Sequence, residues 1–501
     1  MREVEALAAF RCDDVRAAEG PVLARVPDGA LMDKAAARLA VVCVDLLRER
    51  RGGVNGRRVV LLVGPGNNGG DALLAGARLR QRGVRVDALL VGKRAHGRGL
   101  AALTSAGGNV IDASTDVGFA QALSTLADAE LVMDGIVGIS GSSGLRAPAG
   151  ALVEGIPVGA VVVAVDLPSG VDPDSGETPG PHVHADVTVS FGALKPCLLL
   201  PPAAHAAGRV VEVSVGIESG LPAQPVVRRL TSAGVAARWP VPGRSAHKYT
   251  RGVLGVVAGS DAYPGAAVLA VAGAVRAGVG IVRFVGPAGV TDHVLRAVPE
   301  SVPGWGRVQA WLLGSGVESD PGQDEAIDRA LDSGLPCVVD AGALAACVSR
   351  RAGGTRPVAA NNLLLTPHAG ELARMLELLG HRVTRAEVEA RPLHHVLWLA
   401  GEADATVLLK GPTTLIADPQ GVVSSQHDGP AWLATAGSGD VLAGIAGALM
   451  ATGVEAMDAG AMAAHVHGRA GGRASSGGPI AAGDIATATP ATVAEMLATF
   501  A

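Results

Sequence analysis

The recurrence of a wholly apolar strand, a loop carrying glycine or aspartate, and a helix constrains this chain more than any other feature. Residues 59–63, VVLLV, run into Gly64-Pro65-Gly66-Asn67-Asn68-Gly69-Gly70-Asp71 and then a helical stretch. The pattern returns at VRVDALLV (84–91), ELVMDGI (130–136) and VGAVVVAVDL (158–167), and ADVTVSF (185–191) and RVVEVSV (209–215) close the series. Strands without polar alternation are buried on both faces, and the helices between them supply the cover. The spacing therefore predicts a mostly parallel sheet flanked by helices. Asn67, Asn68, Asp71, Asp134, Asp166, Ser169 and Lys195 then fall at carboxyl ends of strands. Ligands bind open α/β sheets at that edge.

Residues 218–244 hold Pro222, Pro225, Pro240 and Pro242 among small and basic residues and read as a linker. A second α/β region follows. GVLGVVAGS (252–260) reads as a strand and GAAVLAVAGAVRAGVG (265–280) as a helix ended by glycine. GIVRFVG, AWLLG, LPCVVD, NLLLTPH and ATVLLKG read as further strands, with helices near 321–333, 370–379 and 384–400. TVLLKGPTTLIADPQGVVSSQ reads as a hairpin turning at Pro419-Gln420-Gly421. In LATAGSGDVLAGIAGALMATG (433–453), Ala436-Gly437-Ser438-Gly439 is a tight loop opening an apolar helix. Its backbone N–H groups can hold an anion, and Asp440 in the first turn sits beside that phosphate-sized nest. Asp440 either complements the helix dipole, worth ~0.3–1 kcal/mol, or acts on what the nest binds. His394, His395, His465 and His467 have no cysteine or carboxylate at ligand spacing and read as helix residues, not metal ligands.

Gly64, Gly66 and Gly69 match G-x-G-x-x-G, the dinucleotide fingerprint, but the rest of that motif is missing. Asp87 is followed by four apolar residues instead of ending its strand, and Asp71 puts negative charge where a pyrophosphate would lie. Two asparagines, three carboxylates and a serine instead supply hard oxygen donors for a cation. Turn chemistry explains any one of these loops alone, but is a poor account of all together.

Composition narrows the partners. Charged residues make up 18% of the 501, hydrophobic ones 49%, and the formal net charge is −5, which argues against a nucleic-acid surface. Charges throughout the first twenty residues exclude a signal-peptide core, and no apolar run reaches membrane-spanning length. Five cysteines without close pairs fit free thiols in a reducing compartment, so a cytoplasmic location is expected. Only five of the 42 basic residues are lysine, and Lys195, Lys248 and Lys410 all lie inside motifs. Such positions are candidates for a compact ammonium that guanidinium cannot replace.

VGPGNNGGDALLAGARL, MDGIVGISGSSGLR, VAVDLPSGVD and ADVTVSFGALKP resemble, in order and spacing, the N-terminal domain of NAD(P)HX epimerases, over residues 1 to about 217. The resemblance implies a Rossmann-like parallel-sheet domain. It implies substrate contacts at Asn67, Asn68, Gly69, Gly70 and Asp71, along the loop from Gly138 to Gly144, and at Asp166, and a potassium site at Asn68, Asp134 and Ser169. Ala72 replaces a glycine usual in that loop. SAHKYTRGVLGVVAGS, YPGAAVLAVAGAVRAGVG, LLTPHAGEL, VLLKGPTTLIA and LATAGSGDVLAGI resemble the ADP-dependent NAD(P)HX dehydratases. That implies a ribokinase-like α/β domain over 245–501. Its substrate contacts would be Ala266, Gly316, His368 and Asp440, and its nucleotide contacts Lys410, Gly411, Pro412, Thr413, Thr414 and Gly439. Ser315 stands where the family commonly has proline, and Gly342 where a second aspartate is usual.

The implied activity is repair of hydrated nicotinamide cofactors: interconversion of the (R) and (S) forms of NADHX and NADPHX, and dehydration of the (S) form with ADP, releasing AMP and phosphate. Potassium, ADP with magnesium, small-molecule partners and a homo-oligomer follow, with no nucleic acid and no membrane. Hydroxide is a poor leaving group, and phosphorylating the ring hydroxyl makes it a good one. Asp440, with a reference pKa of ~3.9 lowered further by the helix end, would be a weak base. A loose phosphoryl-transfer transition state needs positioning more than proton abstraction. The glycine nest would stabilise charge, Lys410 neutralise phosphate and His368 orient substrate. Asp166 is the first choice for proton transfer in epimerisation, Lys195 the second. The alternative is a vitamin-precursor kinase fused to a non-catalytic nucleotide- or lipid-binding domain.

Overall fold

A computed structural model describes residues 4–139, 141, 143–318 and 320–500. It resolves two compact units, Ala8–Val226 and a second made of Val227–Ala501 together with the N-terminal residues through Leu7. In chain order the strands begin with β1 (Ala6–Ala9). Those of the first unit follow: β2 (Arg58–Val63), β3 (Arg85–Leu90), β4 (Asn109–Asp112), β5 (Leu131–Gly135), β6 (Val161–Val165), β7 (Val187–Phe191) and β8 (Arg209–Val213). They form one parallel sheet in the order β4-β3-β2-β5-β6-β7-β8. The order reverses between β2 and β5, the switch point at which such sheets open a crevice. Along β2, Val59, Leu61 and Val63 enter one core cluster with the helix Ala30–Arg51, while Val60 and Leu62 enter a second with Ala122 and Leu126. Both faces are covered, so the run carries no polar alternation. β4 was not anticipated: it is short, its end residues are polar and exposed, and only Ile111 of its four residues is buried.

The second unit contributes β9 (Val227–Leu230), β10 (Val253–Val257), β11 (Ile281–Val285), β12 (Val302–Pro303), β13 (Ala310–Leu313), β14 (Cys337–Val339), β15 (Leu363–Leu365), β16 (Thr406–Leu409), β17 (Thr414–Ala417) and β18 (Val423–Gln426). Its sheet runs β1-β9-β18-β17-β16-β15-β14-β13-β10-β11-β12. Strands β10 to β16 pair in parallel, and β17 runs antiparallel to both β16 and β18, joined to β18 through the turn at 419–421. The helix Ser438–Ala451 is buried almost throughout and crosses the helix Pro264–Arg276 closely. A Cβ on Gly444 would lie 2.2 Å from the Ala270 carbonyl oxygen.

The reading of 218–244 as a linker is corrected. β9 lies inside it, parallel to β18, and the helix Ser232–Arg238 follows, capped by the Thr231 hydroxyl. Arg228 and Arg229 disguised the strand, and the structure satisfies the first of them with Asp458 at 2.8 Å. Glu5 belongs to this unit too. Its carbonyl accepts from Thr231 N at 3.1 Å and its carboxylate pairs with Arg238 at 2.8 Å. The expected helix at 384–400 is two helices, Arg385–Ala390 and Pro392–Ala403, because Pro392 disfavours helical geometry at Arg391.

Candidate active sites

In the first unit β2 and β5 end side by side. A Cβ on Gly64 would lie 1.8 Å from the Ile136 carbonyl oxygen, so glycine is what lets the loop fold onto the end of β5. The helix Asn67–Arg80 starts there and places Asn67, Asn68, Gly69, Gly70 and Asp71 in its first turns. Asn68 Nδ2 donates to the Val165 carbonyl at 2.6 Å, and Asn68 Oδ1 lies against Gly138, 2.4 Å from where a Cβ would stand. Gly144 donates to the Gly170 carbonyl at 2.7 Å. Ser140 and Ser142 of that loop lie outside the described residues.

Asp134 is wholly buried at the end of β5. Its Oδ1 accepts from Ser169 Oγ at 2.6 Å and from Ile136 N at 3.2 Å, and its Oδ2 from Ser169 N at 2.7 Å. It has no ion-pair partner among the described residues, and burial pushes its carboxyl up to about 6. A buried carboxylate without counter-charge is costly. The Asp134 carboxylate and the Ser169 hydroxyl are hard oxygens, and Asn68 Oδ1 lies against Gly138, next to the Val137 N that donates to Ser169 Oγ; oxygens of this kind suit a hard cation.

Asp166 follows β6 with a φ of 71°, a left-handed conformation that costs a non-glycine residue about 1–3 kcal/mol. Its carboxylate is held by Lys195 Nζ and by Phe191 N at 3.2 Å. Lys195 is 1% exposed and also donates to the Phe191 carbonyl at 2.9 Å and to Ser190 Oγ at 3.3 Å. Asp71 is buried with no hydrogen-bond partner on Oδ1; burial first, then the charges of Asp166 and Glu19, hold its carboxyl well above the ordinary range. A carboxyl whose protonated form is favoured, electrostatically coupled to a carboxylate–ammonium pair, sets a proton donor against an acceptor.

In the second unit Gly437, at a φ of 85°, caps the helix Ser438–Ala451 and leaves the first backbone N–H groups of that helix at its open end. Lys410 follows β16, and its Nζ lies 2.8 Å from Asp340 Oδ1 and 3.8 Å from Glu371 Oε2. That ammonium stands 3.4 Å from where a Cβ on Gly439 would be, so cation and glycine loop face one space. Although burial opposes it, Asp340 and Glu371 hold the Lys410 ammonium's pKa above its usual value.

Asp440 is pushed up to about 7, by burial first and then by Asp340, against the opposing pull of Lys410. The expectation that the helix end lowers it is thereby corrected: a helix end is worth only ~0.3–1 kcal/mol to a first-turn carboxylate, and desolvation and a second carboxylate outweigh it. His368 caps the helix Ala369–Leu378, its Nδ1 accepting from Gly370 N at 3.0 Å and Glu371 N at 3.1 Å. With Nδ1 accepting, the neutral ring carries its proton on Nε2, which faces Glu371 Oε1 at 3.7 Å. Ala266 and Gly316 are neighbours, since a Cβ on Gly316 would lie 2.5 Å from that of Ala266. Gly411, Pro412 and Thr413 form the β16–β17 turn and Thr414 opens β17, with Thr413 Oγ1 3.0 Å from His427 Nδ1.

Asp340 was missed as a site residue. It is buried at the end of β14, with Oδ1 accepting from Thr366 Oγ1 at 2.8 Å and Oδ2 from Ser315 Oγ at 3.0 Å. The signal was there: an aspartate closing an apolar strand, as at Asp134 and Asp166. Gly342 also gains a reason, because a Cβ there would lie 2.2 Å from the Val317 carbonyl oxygen. His467 was read only as a helix residue, yet its Nε2 lies 3.1 Å from Ser438 Oγ and 3.0 Å from the Ser438 carbonyl. His465 finds in space the carboxylate it lacked in sequence, Asp428 at 3.0 Å. No group of three metal-ligating side chains occurs among the described residues.

A family model described as NAD(P)H-hydrate dehydratase matches residues 254–487, and one described as YjeF-related protein N-terminus matches residues 28–197. The bifunctional NAD(P)H-hydrate repair enzyme Nnr of Mycobacterium tuberculosis is 45% identical over 460 residues, covering 90% of this chain and 91% of that one. The protein of the same name from Corynebacterium glutamicum is 34% identical, covering 88% and 87%. Among solved structures, the ADP/ATP-dependent NAD(P)H-hydrate dehydratase of Bacillus subtilis co-crystallized with ATP/Mg2+ aligns with a TM-score of 0.48 at 26% identity, over 53% of this chain and 97% of that one. No helix among the described residues is long and apolar enough to cross a membrane.

Proposed function

The chain belongs to the bifunctional NAD(P)H-hydrate repair enzymes, and from that premise we propose that its two units divide the repair between them. The unit Ala8–Val226 interconverts the (R) and (S) hydrates, and the unit containing Val227–Ala501 dehydrates the (S) form with ADP.

For dehydration, Lys410, the turn through Thr414 and the loop at Gly439 hold the nucleotide phosphates. Ala266, Gly316 and His368 place the hydrated ring, and magnesium enters as part of the nucleotide complex. The Asp440 carboxylate takes the proton of the ring hydroxyl as that oxygen bonds to the terminal phosphorus of ADP and AMP leaves. The ring nitrogen's lone pair then expels phosphate, and loss of a proton from the adjacent carbon restores the dihydronicotinamide. The observation that carries this reading is that the Lys410 ammonium and the Gly439 backbone meet at one point, with Asp440 coupled to both Lys410 and Asp340.

For epimerisation, Asn67 to Asp71 and the loop from Gly138 to Gly144 hold the substrate, and Asp166 and Lys195 move the proton. Asn68, Asp134 and Ser169 would hold potassium, which would supply the counter-charge that the buried Asp134 lacks. Five buried free thiols support a cytoplasmic setting. The homo-oligomer expected from the family is tested by light scattering.

Purified protein given both hydrate epimers and ADP should restore the whole of the reduced-nicotinamide absorbance. Recovery of only the (S) fraction removes the epimerase reading. Accumulation of a stable phosphorylated product removes the dehydratase reading in favour of a kinase.

A further inference from the structure

The connection from β18 to the helix Ser438–Ala451 is fastened at both ends to one other helix, Ala456–Ser475. At its start His465 Nδ1 lies 3.0 Å from Asp428 Oδ2. A Cβ on Gly468 would lie 2.9 Å from Gly429 N, so glycine lets the two backbones touch there. Midway, Leu433 lies over Gly471, 2.5 Å from where a Cβ would stand. At its end His467 Nε2 lies 3.0 Å from the Ser438 carbonyl oxygen and 3.1 Å from Ser438 Oγ, and both residues are buried.

A carbonyl oxygen can only accept, so this ring carries a proton on Nε2 and shares it between the two Ser438 oxygens. Burial holds the ring's pKa down to about 4, against the pull of the Ser438 carbonyl, so the ring is neutral and supplies a donor without adding charge. Across a planar trans peptide the C=O and the next N–H point in opposite directions. A donor held on the Ser438 carbonyl therefore fixes where the Gly439 N–H points. That N–H is among those a helix start leaves without an internal partner. The Lys410 ammonium stands 3.4 Å from where a Cβ on Gly439 would be.

We propose that His467 is a positioning residue for the nucleotide: by holding the Ser438 carbonyl it aims the Gly439 N–H at the phosphate that Lys410 neutralises. This rests on the dehydratase reading above. No proton moves at His467 and no bond to it changes during turnover. Without the ring, the ligand itself has to order that peptide, which weakens binding and leaves the bound geometry as it was. The loss then falls on KM for ADP and not on kcat. A histidine that only filled space would instead be replaceable by any side chain of similar size. Glutamine carries its amide nitrogen as far along the side chain as Nε2, whereas asparagine ends at the reach of Nδ1.

The test compares the full chain as wild type, His467→Gln, His467→Asn and His467→Leu. It reads steady-state dehydration of the (S) hydrate at varied ADP, and the rise in melting temperature that ADP produces. His467→Asn and His467→Leu should raise both KM for ADP and the half-saturating ADP concentration in the melt about five- to tenfold, the worth of one neutral hydrogen bond. Their kcat should change by no more than about twofold. His467→Gln should bring both ADP values back toward wild type. Equal ADP values in His467→Gln and His467→Asn overturn the proposal, as does a fall in kcat with KM unmoved. Where His467→Leu does not fold, the two polar variants decide alone. The melt needs no turnover, so it separates the two claims. A wild type whose melting temperature ADP leaves unmoved removes the nucleotide site itself. A wild-type shift beside an unmoved half-saturation in His467→Asn removes only the role of His467.

Discussion

Asp166 and Lys195 form a buried ion pair between the ends of two adjacent strands, β6 and β7, and Lys195 is among the largest wholly buried side chains of the chain. Deleting one partner leaves the other charge in a poorly solvated site. Lys195→Met should therefore cost about 3–5 kcal/mol of stability, read as a lower melting temperature, along with most of the epimerase rate. Lys195→Arg should not rescue the activity, since a planar guanidinium cannot occupy the space of a buried ammonium. A melting temperature unchanged in Lys195→Met would show that the pair contributes no stability.

The potassium site proposed at Asp134 should depend on pH. Its carboxyl is raised from 3.8 to about 6, so the fold loses stability as pH rises from about 4 to about 6 and carries the full cost of ionised Asp134 above that. A bound cation offsets that cost. The stabilisation of the protein by potassium chloride over tetramethylammonium chloride should be larger at pH 8 than at pH 5. Below about 6 the half-saturating potassium concentration should rise up to tenfold per pH unit, the proton and the cation competing for one carboxylate. Asp134→Asn should abolish the difference between the two salts. Equal melting temperatures in both salts at pH 8 would leave the site without its cation.

Asp440→Asn keeps size and first-turn position while removing the charge. Dehydratase turnover should fall ~10²-fold or more, while epimerisation, which depends on the other unit, should be unchanged. The wild-type rate should fall with acidity through about pH 7, where Asp440 takes up its proton. Because that carboxyl is raised above its usual value, Asp440→Asn should be more stable than wild type above pH 7 and no more stable below pH 4. Single-turnover rates and thermal melts at matched pH decide both halves.

Gly444→Ala should separate the helices Ser438–Ala451 and Pro264–Arg276, because the added methyl meets backbone at 2.2 Å and not a movable side chain. Overpacking of this kind costs about 1–3 kcal/mol. Since the first of these helices opens at the nucleotide loop, the KM for ADP should rise as well. A stabilised Gly444→Ala protein, as helix propensity alone would give, would contradict the close crossing.

The nucleotide itself is a further test. The resemblance is to the ADP-dependent dehydratases, so kcat/KM should be higher with ADP than with ATP, and steady-state rates with each donor measure it directly.

What could be read in the sequence was set by burial. Strands such as β2 and β6, covered on both faces, announced themselves as unbroken apolar runs, and the polar residues at their carboxyl ends marked the candidate site. β9 was lost because Arg228 and Arg229 sit in it, the first paired with Asp458 and the second donating to Ser425 Oγ, both far along the chain. The state of Asp440 was misjudged for the same reason: Asp340 and Glu371, which with burial outweigh the helix end, reach it only through the fold. Ser315 was visible as a departure from a pattern, but its hydrogen bond to the Asp340 carboxylate was not.

The strand at β9 and the contacts of Glu5 with Thr231 and Arg238 place chain from both sides of Ala8–Val226 in the dehydratase unit. In topology the epimerase is thus an insertion within its partner and not the first car of a train. A single cut cannot release both activities intact. Cutting at 245 strips β9 from β18 and bares an unpaired sheet edge, and even a cut at 227 leaves the dehydratase without the residues that lie along Thr231.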